Sequence, residues 1–154
     1  LEAEVQRCKQ AISRLRLALG DLQGSKCAKA SLSEIIDPLR SRLPESYRLK
    51  IENDGIISTQ ILPLSEALFA IIKNALEVSG SNPVVVNVSE DGAIEVKDSG
   101  TGISDEIISQ VGVPISSDKG LGLGLFLSKR FVEMIGGSLD FIRDKGTTVR
   151  IKLV

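Results

Sequence analysis

Apolar residues recur at Leu1, Val5, Cys8, Ile12, Leu15, Leu19 and Leu22, spaced alternately by four and three, with charged residues in between. That seam predicts a helix over residues 1–22 that packs along one stripe, either against another helix or against the domain's own core. Gly20 and "QGSK" (23–26) end it and open a linker over residues 23–30. Next, "SEIIDPLRSRL" (33–43) predicts a short helix, "YRLKIEN" (47–53) alternates as a strand does, and "STQILP" (58–63) reads as another short strand. "LSEALFAIIKNALEVSG" (64–80) is the strongest helix: Leu64, Leu68, Ile71, Ile72, Ala75, Leu76 and Ser79 share one face, and Gly80 stops it. "PVVVNVSED" and "GAIEVKD" flank Asp91-Gly92, a strong hairpin signal. "SDEIISQV" predicts a short helix capped by Ser104, residues 111–121 an irregular loop, and residues 123–135 a further helix. "SLDFIRD" and "TTVRIKLV" then form a second hairpin around Lys145-Gly146. Strands paired as hairpins with helices between them predict a mostly antiparallel sheet covered on one face by helices.

Composition narrows the possibilities. The chain has 154 residues, enough for one domain plus a short attachment. It is 42% hydrophobic and 25% charged, a globular balance. A net charge of −1 gives no basic footprint, so nucleic acid is not an expected partner. The apolar runs fall well short of the roughly 18–20 residues of a membrane span, and the first residues read as amphipathic helix rather than signal peptide. Leu1 stands where a methionine would open a complete chain, so the sequence reads as a piece of a longer protein. Histidine is absent, which removes His-based catalysis and most metal chemistry. Two cysteines, Cys8 and Cys27, are too few for a disulfide framework or a structural zinc site.

Three stretches carry candidate chemistry. In "VKDSGTGI", Asp98 ends a strand and Gly100 and Gly102 follow, so the backbone can turn sharply and a flat ligand can come close. A carboxylate there either closes a plain Asp-Gly turn or accepts from a ligand with an exocyclic amine, such as adenine. In "IIKNALEVS", Asn74 sits on a helix face otherwise made of Leu, Ile and Ala. Its amide is either tied to backbone or offers a neutral oxygen to Mg²⁺. "KGLGLGLFLS" satisfies neither the P-loop pattern, because no Lys-Ser/Thr follows a glycine, nor the Rossmann turn, because no strand precedes it. What remains is a loop feeding a helix N-terminus, where backbone N–H groups favour an anion.

Together, an Asn on a helix, then D-x-G-x-G after a hairpin, then G-x-G-x-G before a helix resemble the ATP-binding domain shared by histidine kinases, DNA gyrase, Hsp90 and MutL. In that family these are the N, G1 and G2 boxes, and "GTTV" (146–149) resembles the last box. The match runs over about residues 30–154. It implies an α+β fold, a two-layer α/β sandwich (the Bergerat ATP-binding fold), over residues 31–154. ATP would lie between the helices under a lid at about 104–121. The resemblance implies nucleotide binding by Asn74, Asp98, Gly100, Gly102, Ile103, Gly120, Gly122, Gly124, Leu125 and Thr147. Asn74 would also ligate Mg²⁺.

Within the superfamily, "GLGLGLFLSKRFVEMIGGSLDF" (120–141) looks like a histidine kinase. The seam helix resembles the second helix of such a kinase's dimerisation and phosphotransfer hairpin. "EVQRCKQAISRL" (4–15) with "VGVPISS" (111–117) resembles RegB/PrrB-type redox-responsive sensor kinases, which makes Cys8 a redox candidate as well as a small hydrophobe in a seam. The resemblance implies a cytoplasmic catalytic fragment of a membrane-anchored kinase, with no direct membrane contact of its own. Its implied partners are its own dimerisation and phosphoacceptor helices, a response regulator, and a second copy in a homodimer of the whole protein.

Four departures accompany the resemblance. No phosphoacceptor histidine is present. Ala70 stands where gyrase-type ATPases carry a water-activating glutamate, which argues against hydrolysis. Glu77 stands where many kinases place a phosphate-facing lysine, so Lys73 or Lys119 would supply that charge. "GVPI" (112–115) replaces the phenylalanine motif usual before the G2 box. The alternatives are a nucleotide-gated clamp of the gyrase or MutL type and a degenerate module that binds a partner without nucleotide.

Overall fold

The computed structural model describes residues 2–19, 27–99, 121–143 and 146–153. The seam residues form helix α1 (Glu2–Leu19). Val5, Cys8 and Ile12 on its stripe stand exposed, so this part of the seam is not buried against the domain's own core. Strand β1 (Cys27–Ser31) begins inside the stretch that composition assigned to a linker. Its short side chains carry little local signal, and it becomes a strand by pairing with β3 (Ile56–Gln60), Ala30 opposite Ile57 and Ala28 opposite Thr59.

Helix α2 (Leu32–Ile36) follows, capped by Ser31, whose Oγ accepts from Glu34 N–H at 3.1 Å. Pro38 has no N–H to continue the α-helical pattern, and Asp37–Arg42 tightens into a 3-10 helix. A second 3-10 turn, Ser46–Arg48, leads into β2 (Leu49–Asn53). The segment read from sequence as one strand over 58–63 is divided: β3 ends at Gln60, and helix α3 runs Ile61–Val78. Pro63 is accommodated because the first helical turn needs no intrahelical donor there. All seven residues assigned to the core face of α3 are buried, and Gly80, at φ 61, ends the helix in the left-handed conformation that glycine adopts without a Cβ penalty.

The main sheet has the order β2-β4-β5-β7-β6, with β4 (Val84–Val88), β5 (Ile94–Lys97), β6 (Ser138–Arg143) and β7 (Thr147–Lys152). Every neighbouring pair is antiparallel except β2 with β4, which are parallel and joined through α3. Alternation sorts the two faces. Val84, Val86, Ile94, Val96, Val149 and Ile151 are buried under α3 and helix α4 (Leu121–Met134), which pack along each other. Glu95, Lys97, Asp140, Arg150 and Lys152 belong to the other set, where Lys152 pairs with Asp140 at 3.7 Å and Arg150 with Asp91. The β4–β5 connection is closed by Asp91, whose Oδ1 accepts from Ser89 Oγ and from Ala93 N–H at 3.3 Å. The result is the expected two-layer α+β sandwich.

Candidate nucleotide site

The site forms where the carboxyl end of β5, the start of β7 and helix α3 converge. Asp98 lies one residue beyond β5. Its N–H donates to the Thr147 carbonyl at 2.9 Å, and its Oδ1 accepts from Thr147 N–H at 3.1 Å. Two residues assigned from separate stretches, 49 positions apart, are therefore locked together. Thr147 is 2% exposed and Asp98 half-buried, so the carboxylate stands at the edge of the core rather than in bulk water. Gly146 makes this approach possible: a Cβ there would lie 2.2 Å from the Asp98 carbonyl oxygen.

Helix α3 carries the next candidate residue and meets the turn after Asp98 at its carboxyl end, through Ser99 N–H to Ser79 Oγ at 3.3 Å. Asn74 is half-buried, and its Nδ2 is buried with no hydrogen-bond partner. A buried amide donor without a partner costs about 1–3 kcal/mol, and this one is open to an acceptor oxygen. Lys73 beside it is half-buried, Glu77 is exposed, and Ala70 is buried with no acid–base capacity.

The glycine stretch differs from expectation at its end. Helix α4 begins at Leu121, so Gly122 and Gly124 lie in its first turn instead of in a loop preceding Leu123, and Leu125 follows in the same helix. The first N–H groups of a helix lack intrahelical acceptors, so anion-binding capacity is retained there. Gly100, Gly102, Ile103, Lys119, Gly120, the helix read over 104–111 and most of the loop over 111–121 lie outside the described residues. Ser128 on α4 is fully buried and its Oγ donates to the Ala67 carbonyl of α3 at 3.5 Å, a polar link between the two helices.

Sequence reasoning missed two supporting residues. Ser79 reads in the sequence only as part of a core face, yet its Oγ accepts from Ser99 N–H at 3.3 Å. Arg48 gave no local signal at all. It is buried, donates from Nη2 to the Leu76 carbonyl at 2.8 Å and from Nη1 to the Asn82 carbonyl at 3.1 Å, and pairs with Glu45 at 2.8 Å. A cation on the last carbonyls of a helix complements its dipole, but only the fold brings residue 48 to the end of α3.

A family model described as "Histidine kinase-, DNA gyrase B-, and HSP90-like ATPase" matches residues 59–154, and the chain belongs to that family. Sporulation kinase D of Bacillus subtilis is 30% identical over 170 aligned residues, covering 99% of this chain and 33% of that protein. The C4-dicarboxylate transport sensor protein DctB of Rhizobium meliloti is 32% identical over 135, covering 75% of this chain and 21% of its own length. The chain thus spans a third or less of these curated relatives. Among solved structures, a mycobacterial sensor histidine kinase, MprB, superposes with a TM-score of 0.67 at 23% identity over 83% of this chain and 97% of that one. The domain is homologous to the catalytic ATP-binding part of sensor histidine kinases, and this origin is favoured over a gyrase-type clamp or a degenerate module.

Proposed function

We propose that the chain binds Mg-ATP and, within its whole protein, donates the γ-phosphate to a histidine carried on a helix outside this sequence, from which a response regulator receives it. The observation that carries this reading is the Asp98–Thr147 pairing, which holds a carboxylate at the edge of the core beside the end of the helix that carries Asn74. Asp98 accepts from the exocyclic amine of adenine, and Thr147 supports the base. Gly100, Gly102 and Ile103 contribute to nucleotide binding in the same reading. Gly120, Gly122, Gly124 and Leu125 bring backbone donors to the phosphates, and Lys73 or Lys119 adds positive charge.

Mg²⁺ takes oxygen ligands and keeps waters and phosphates in its shell, which suits a single neutral amide such as that of Asn74. When bound, the ion supplies charge neutralisation along the triphosphate. The chain's own residues bind and orient the nucleotide; such transfer is mainly positioning and electrostatic stabilisation. Ala70 offers no base to activate water, so transfer to a protein acceptor is favoured over hydrolysis.

In the same reading residues 1–22 belong to the dimerisation hairpin, residues 23–30 connect it, and residues 31–154 form the catalytic domain, on the cytoplasmic side of the membrane as part of a homodimer. No helix of the described residues is long and apolar enough to cross a membrane. The RegB/PrrB-like features and the exposed, free Cys8 thiol support a redox-responsive kinase. Cross-linking of the oxidised protein that persists in Cys8→Ala argues against that role.

The function is tested by titrating ATP and ADP with and without Mg²⁺, then adding a separate fragment that carries the histidine helix. Phosphate is expected on the added fragment and not on this chain, with very slow ATP hydrolysis by the chain alone. Brisk hydrolysis instead supports the gyrase-type class.

A further inference from the structure

Asp98 and Ser99 are anchored from opposite sides. The sheet holds Asp98 through its two hydrogen bonds with Thr147. The helix layer holds Ser99, whose N–H donates to Ser79 Oγ at 3.3 Å. Ser79 is 3% exposed and sits at the carboxyl end of α3, where its own N–H donates to the Ala75 carbonyl at 3.1 Å. The segment around it is braced as well: Asn82 N–H donates to the Ser79 carbonyl at 3.0 Å, and Arg48 holds the carbonyls of Leu76 and Asn82. One anchor lets a peptide pivot; a second on the next residue removes that freedom.

We infer that Ser79 is a positioning residue for base recognition. It aims the Asp98 carboxylate and ties the helix that carries Asn74 to the site that selects the base. This rests on Asp98 being the adenine acceptor. Adenine presents an amine where guanine presents a carbonyl, so a well-aimed carboxylate attracts one and repels the other. Hydrogen bonds weaken steeply with misalignment, so loss of aim shows first in selectivity.

The experiment measures binding of Mg-ATP, Mg-ADP and Mg-GTP to the chain by calorimetry in the parent, Ser79→Ala, Ser79→Thr and Asp98→Asn. Amide exchange at Ser99 is followed alongside. Ser79→Ala is expected to weaken ATP and ADP roughly three- to tenfold, the scale of one neutral hydrogen bond, and to leave GTP unchanged. The ATP-to-GTP ratio then narrows by the same factor, and Ser99 N–H exchanges faster. Ser79→Thr keeps the hydroxyl and restores both. A lesion of stability alone lowers the melting temperature and the active fraction without moving the ratio. Parental selectivity in Ser79→Ala beside reduced selectivity in Asp98→Asn overturns the positioning role and leaves the adenine assignment standing. Parental selectivity in both overturns the assignment and the role together. If Ser79→Ala does not fold, the near-isosteric Ser79→Cys carries the same expectations.

Discussion

The backbone of Thr147 both donates to the Asp98 side chain at 3.1 Å and accepts from the Asp98 N–H at 2.9 Å, so one residue of β7 fixes the carboxylate and the peptide that bears it. A carboxylate held by a backbone N–H, on a peptide that is itself held, loses less freedom on meeting a ligand.

Asp98→Asn keeps an oxygen for Thr147 N–H and removes the charge. The chain is expected to fold normally and to lose about 1–3 kcal/mol of affinity for ATP and ADP alike, the worth of a charge-assisted hydrogen bond. Calorimetry against GTP checks it; equal losses for ATP and GTP contradict adenine recognition.

Gly146→Ala would drive a Cβ to 2.2 Å from the Asp98 carbonyl oxygen, a methyl carbon against backbone with no flexible side chain to yield. Chemical denaturation is expected to show a loss of about 1–3 kcal/mol, the range for overpacking. Nucleotide affinity falls too, because the clash lies at the Asp98 turn. An unchanged midpoint and affinity would show that the turn is not so tightly held.

Asn74→Ala separates function from stability. The buried Nδ2 has no partner, so removing the amide is expected to leave the melting temperature unchanged or raised. Mg-ATP binding should fall more than metal-free ATP binding. A clear drop in melting temperature means that the amide is structural.

Acid stability tests the β2–β3 corner. Asp54 accepts from Ser33 N–H at 3.0 Å and Ser33 Oγ at 2.6 Å, and these bonds hold its carboxyl below the ordinary aspartate value. A depressed folded-state value means that the contribution is fully present above the ordinary aspartate pKa and is lost as pH falls through the folded value. The denaturation gap between parent and Asp54→Asn should therefore be open near neutrality and close in acid. A gap that is constant with pH contradicts the assignment.

Much of this protein is legible along the chain because local periodicity and burial coincide. The face of α3 from Leu64 to Ser79 and the β4–β5 and β6–β7 hairpins follow from spacing and turn chemistry, while family resemblance picks out Asn74, Asp98 and Thr147 as site candidates. What sequence could not supply depends on partners distant in the chain. Cys27–Ser31 has no strong strand pattern and becomes β1 only because β3 offers a ladder. Gln60 ends a strand and Ile61 starts a helix across a boundary that local propensity does not mark. Arg48 and Ser79 look like an ordinary charge and an ordinary helix end until folding sets one on the carbonyls of α3 and the other on the peptide after Asp98. Hydrophobic alternation tells each element which face to bury. The position of one polar atom relative to another 20 or more residues away is decided only when the layers close, because buried donors and acceptors must then find each other.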